Sequence, residues 1–157
     1  MTELQEAVAA GDGERVKGLV SGGADPNELN ADGVNSLYVA VAVGKAEMVT
    51  LLASLGADLS MAFKEDLTVF HLAVSEAKLD VVKALAAAGA DINATFKDGM
   101  TALHLAAYNG DLPVVEFLLA QGADPAKPFG PGVTPVMIAE GAAKYEAAEM
   151  IKKKIEG

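Results

Sequence analysis

The stretch DGMTALHLAAYNG, Asp98 to Gly110, runs directly into DLPVVEFLLAQGAD, Asp111 to Asp124, and together they spell one structural unit. Asp98-Gly99 is a turn pair, because glycine takes positive φ without a Cβ clash. Thr101 precedes an apolar run (Leu103, Leu105, Ala106, Ala107) and is placed to cap a short helix with its hydroxyl. Gly110 predicts the end of that helix in the left-handed conformation. Asp111 opens a second helix, and Pro113 is tolerated there because first-turn amides have no helical acceptor. Val114, Val115, Leu118 and Leu119 form its buried stripe, which Gly122 stops. Two short helices and a turn cannot bury their apolar faces alone, so the unit must stack on neighbours.

Moving outward, the same landmarks recur. Gly-Ala-Asp stands at Gly23, Gly56, Gly89 and Gly122, each step being 33 residues. Gly11, Gly44, Ala77 and Gly110 keep that step, as do Asn35, Thr68, Thr101 and Thr134. In this frame TVFHLAV (Thr68 to Val74) lies over TALHLAA (Thr101 to Ala107). Three landmark series in one register make the chain a tandem array.

Composition narrows the functional classes. The 157 residues are 52% hydrophobic and 22% charged, which excludes intrinsic disorder. Without cysteine there is no disulfide scaffold, thiolate metal site or thiol nucleophile, and a reducing, cytoplasmic compartment is expected. A net charge of −10 repels phosphate backbones and anionic lipid, so neither nucleic acid nor a membrane is an expected partner. Met1 to Glu6 lacks the features of a signal peptide. Gly33 to Gly44, the longest uncharged apolar stretch, is too short to cross a bilayer.

The pattern Asp98-Gly99-x-Thr101-x-Leu103-His104-Leu105-Ala106-Ala107-x-x-Gly110, with Gly122-Ala123-Asp124, resembles the ankyrin repeat, whose period is 33 residues. The resemblance covers almost the whole chain. It implies an all-α repeat solenoid of helix-turn-helix pairs with β-turn fingers. One ankyrin repeat domain over 1–157 is expected, with about five repeats including two caps: 1–29 as N-cap, 30–62, 63–95, 96–128, and 129–157 as C-cap. Thr2, Glu3, Gln5 and Glu6 at one end, and Glu146, Glu149, Lys152, Lys153 and Lys154 at the other, give polar outer faces. The implied function is a non-catalytic protein–protein interaction module that binds a protein or peptide partner on a concave face of fingers and inner helices. An inhibitor and a scaffold are two forms of that role. Competing classes are a groove-type small-molecule binder or enzyme, and an engineered ankyrin scaffold. A monomer is expected, since both ends are polar and the charge is strongly negative.

No residue pattern points to catalysis, a cofactor or a metal. His71 and His104 sit one period apart, and stacked helices ~8–10 Å apart hold such side chains too far from each other to share an ion. In the family this histidine ties a turn together. Gly11-x-Gly13 lacks the strand and third glycine of a phosphate loop. Asp25, Asp58, Asp91 and Asp124 each follow a helix-stopping glycine, where they satisfy backbone amides.

Candidate partner-binding residues are those free of repeat duties. On the fingers these are Ala31, Asp32 and Val34; Lys64, Glu65 and Leu67; and Lys97, Asp98 and Met100. On the inner-helix ends they are Val43, Ser75, Glu76, Tyr108 and Asn109. Apolar and aromatic groups rimmed by charge suit a protein interface. Phe63, Phe96 and Phe129 share one finger position, filled by Asn30 one repeat earlier. A packing role is expected for Phe63 and Phe129, and an exposed anchoring role for Phe96 beside Met100 and Tyr108. Leu85, Asp91, Ile92 and Asn93 also resemble the pattern at which animal ankyrin repeats are hydroxylated, although turn hydrogen bonding is the simpler reading of Asn93.

Overall fold

The computed structural model describes residues 1–157. Ten α-helices follow one another in consecutive pairs: α1 (Glu3–Ala10) with α2 (Gly13–Ser21), α3 (Ser36–Val43) with α4 (Ala46–Ser54), α5 (Val69–Ser75) with α6 (Leu79–Ala87), α7 (Ala102–Asn109) with α8 (Leu112–Ala120), and α9 (Pro135–Gly141) with α10 (Tyr145–Glu156). The first helices of the pairs form one layer, in which α1 packs on α3, α3 on α5, α5 on α7 and α7 on α9. The second helices form another, with α4 on α6, α6 on α8 and α8 on α10. None of them is long and apolar enough to cross a membrane.

Burial follows the 33-residue frame column by column. Ala7, Ala40, Ala73, Ala106 and Ala139 are all fully buried, and a methyl at this position lets successive first helices approach closely. Val49, Val82, Val115 and Ala148 fill one column of the second layer, and Leu52, Leu85, Leu118 and Ile151 fill the next. One core of buried residues therefore runs from Leu4 to Ile151.

Caps set the helix boundaries. Thr101 and His104 form a reciprocal capping box at the start of α7, as do Thr68 and His71 for α5 and Thr2 and Gln5 for α1. Asp111 accepts from the Val114 amide at 3.1 Å and caps α8. Gly110 ends α7 with φ 71°, as the sequence predicts. The residues in its column that are not glycine adopt the same conformation: Ala77 has φ 54° and Ala143 has φ 57°.

Before α3, α5, α7 and α9 the chain folds into a finger. The best formed is a two-residue antiparallel ladder, β1 (Thr95–Phe96) with β2 (Met100–Thr101), pairing Phe96 with Met100. Ala62 with Thr68 and Phe129 with Val133 make single bridges at the neighbouring fingers. At the finger tip 97–99, Asp98 and Gly99 both take positive φ. Glu65 and Asp66 take their place one repeat earlier, at φ 55° and 61° without a glycine.

Candidate protein-interaction face

A side chain on the first helix of the preceding pair engages each finger. Gln5 of α1 accepts from the Thr2 amide through Oε1 (3.1 Å) and donates from Nε2 to the Val34 carbonyl (2.9 Å). His104 repeats that arrangement. Its Nδ1 faces the Thr101 amide and hydroxyl, at 3.1 and 2.8 Å, and its Nε2 lies 3.3 Å from the Val133 carbonyl. His71 engages Thr68 in the same way, but its Nε2 lies 3.0 Å from the Ala94 carbonyl, just before the first strand of its finger. A ring that accepts at Nδ1 and donates from Nε2–H is neutral. Burial lowers the pKa of both histidines, partly offset by the carbonyl each one meets. Both nitrogens of each ring are therefore committed to shaping turns.

A second set of contacts comes from the shared aromatic position. Phe63 packs edge-on against Tyr38, Phe96 tilts against His71, and Phe129 packs edge-on against His104, with centroids 4.9, 4.6 and 4.9 Å apart. Asn30 reaches the same frame position of the helix before it by a hydrogen bond, from Nδ2 to Oε1 of Gln5 at 2.9 Å. This corrects the expectation for Phe96. Its residue is only 9% exposed and its ring lies on the His71 imidazole, so it holds the finger base and presents no anchor.

The remaining candidates fall into separate groups. Asp32, Val34, Lys64 and Leu67 come together with Gly33, Tyr38, Ala62 and Phe63 around an open cavity of about 720 Å³ between adjacent fingers. Tyr38 and Ala62 were not among the expected contacts. Reading the columns jointly would have found Tyr38, since it fills the histidine position yet carries a large ring. Glu65 and Lys97 link neighbouring fingers by an ion pair at 3.6 Å. Ala31, Lys64 and Asp98 are exposed, while Met100 is half-buried in the ladder.

At the helix ends, Tyr108 is 65% exposed and Val43 48% exposed. Ser75 is exposed, and Glu76 is engaged by Lys78. Asn109 is half-buried and donates to the backbone carbonyls of Ser75 (3.0 Å) and Val74 (3.5 Å). Its amide thus clamps α7 to α5, a structural duty that the contact reading had not assigned.

Residues 70–119 match the family model for ankyrin repeats (many copies). That segment of the chain is similar to ankyrin repeats. No curated protein matches the chain. The matched segment begins at Phe70 in α5 and ends at Leu119 in α8, so it contains the ladder finger, both histidines and Tyr108. Ankyrin repeats are generally protein–protein interaction modules, and the family is generally non-catalytic. In the ankyrin-repeat frame, the two histidines belong to the scaffold. Tyr108, Val43, Met137 and the inter-finger cavity are apolar surfaces on the finger and inner-helix side that the scaffold leaves uncovered.

Proposed function

We propose that the protein is a non-catalytic, monomeric, cytoplasmic interaction module. It is built as a solenoid of five repeats (1–29, 30–62, 63–95, 96–128, 129–157), the first and last serving as caps. A protein or peptide partner lies along the concave side, across the fingers and the ends of α3, α5 and α7. The observation that carries this reading is Tyr108, a large aromatic group 65% exposed on the last turn of α7 and outside the hydrophobic core. Aromatic groups of this kind supply much contact area at modest entropic cost and are enriched among binding hot spots. The cavity between the fingers, with Val34 and Leu67 beside Asp32 and Lys64, extends the surface as an apolar floor rimmed by charge. Inhibition and scaffolding are both outcomes of occupying such a face.

Affinity capture from lysate of the source cells, with Tyr108→Ala and Tyr145→Ala as paired variants, tests the reading. Tyr145 is equally exposed but lies on the second-helix layer. A protein retained by the parent chain and by Tyr145→Ala, and lost with Tyr108→Ala, supports the concave face. Retention by Tyr108→Ala together with loss by Tyr145→Ala contradicts it.

A further inference from the structure

Two asparagines join consecutive helix pairs through their loops. Asn27 donates from Nδ2 to the Gly56 carbonyl (3.1 Å) and accepts the Asp58 amide on Oδ1 (2.7 Å). Asn93 makes the same two bonds to the Gly122 carbonyl (3.1 Å) and the Asp124 amide (2.9 Å). In each case one carboxamide edge satisfies one carbonyl and one N–H of the loop that follows. The position midway between them, 33 residues from each, is Ser60. Its hydroxyl turns back to Asp58 at 2.7 Å and makes no bond across the joint. The corresponding pair in the next loop, the Gly89 carbonyl and the Asp91 N–H, has no hydrogen-bond partner in the protein. A cavity of about 550 Å³ opens at this joint, with Asp58, Ser60, Phe70, Gly89, Asp91 and Thr95 on its walls.

We propose that this joint is a binding site for a primary carboxamide, supplied by an asparagine or glutamine side chain of a protein partner. The two flanking joints show within the same chain which group the backbone pair accepts. A primary carboxamide presents its oxygen and one N–H on the same edge, so it meets the Asp91 N–H and the Gly89 carbonyl together. A trans peptide group holds its oxygen and N–H on opposite sides and meets only one of them. A carboxylate has no proton to donate, and ammonium and guanidinium groups have no acceptor. The cavity has room for the segment that bears the side chain as well as for the amide. Its wall includes apolar groups (Leu59, Ala62, Ala94) that a peptide stem would cover. That the amide is borne by a protein rests on the family's general use in protein binding. The site lies at the loops leading into the fingers and does not need the concave-face reading to hold.

The test is a ¹H–¹⁵N NMR titration of the full chain with acetamide, N-methylacetamide and capped asparagine as probes. The proposal expects a saturable shift of the Asp91 amide with acetamide. Loss of one of the two hydrogen bonds should weaken N-methylacetamide by about fivefold or more. Capped asparagine should bind more tightly than acetamide. Tightest binding by acetamide would mark a free small amide as the ligand and overturn the assignment to a protein partner. Ser60→Asn should fill the site from within and abolish the Asp91 response. In the converse variant, Asn93→Ala, the Asp124 amide should acquire the acetamide response, which keeps the test open should Ser60→Asn fold poorly. Equal responses to acetamide and N-methylacetamide, or no response of the Asp91 amide to either, would overturn the proposal whatever the concave face binds.

Discussion

Ala77 and Ala143 hold left-handed backbone at positions where Gly11, Gly44 and Gly110 hold it without strain. An alanine there costs ~1–2 kcal/mol, whereas a glycine loses ~0.5–1 kcal/mol more chain entropy on folding. The difference favours glycine, so Ala77→Gly is expected to stabilise the protein by up to about 1 kcal/mol. A thermal melt reads this directly, and a lower midpoint for Ala77→Gly would contradict it. The histidines make a second residue-scale prediction. Because burial depresses their folded-state pKa, the folded chain binds fewer protons than the unfolded chain below the ordinary histidine value of about 6.5. Their contribution to stability is therefore full above that pH and is lost as pH falls from it toward the depressed value. Gln5 shows that an uncharged carboxamide makes the same two bonds. His71→Gln combined with His104→Gln should flatten the decline in denaturation midpoint between pH 6.5 and 5. An unchanged slope would mean that these rings are not the groups that titrate.

At the scale of the element, a finger is a hairpin held by one side chain beneath it and one beside it. Phe96 is the clearest case, with its backbone paired to Met100 and its ring on His71. Phe96→Asp removes a buried ring and should cost about 3 kcal/mol or more by chemical denaturation. Partner affinity, measured where the variant remains folded, should be unchanged. A variant as stable as the parent but weakened in binding would restore the anchoring role. The misassignment of Phe96 shows what the sequence hides. The helix boundaries were legible because caps and stops are local: Thr101, Gly110, Asp111 and Gly122 each act within a few residues. Whether Phe96 faces solvent depends on His71, 25 residues earlier, and only superposing the column of Asn30 and the phenylalanines on that of Gln5, Tyr38, His71 and His104 reveals the pairing. The amide of Asn109 was hidden in the same way, because its acceptors lie on α5.

Across the whole molecule the joints between helix pairs are not equivalent. Asn27 and Asn93 staple two of them, and Ser60 leaves the joint between them unstapled. Removing a staple deletes two inter-repeat hydrogen bonds, so Asn27→Ala or Asn93→Ala should cost about 1–2 kcal/mol, whereas Ser60→Ala should cost well under 1 kcal/mol. Equal losses at all three positions in denaturant unfolding would show that the staples carry no particular share of the stacking energy. Buried columns repeat through the chain, whereas the exposed Tyr108 does not: Ala9, Ala42, Ser75 and Gly141 stand at its position in the other repeats. Site-specific photo-cross-linking compares the two faces under one condition. A photoreactive residue is placed at position 108 in one sample and at 145 in another, where the native tyrosines are 65% and 66% exposed. Irradiation in source-cell lysate should give a discrete cross-linked partner from position 108 and none from position 145, and a partner captured from 145 but not from 108 would contradict the account.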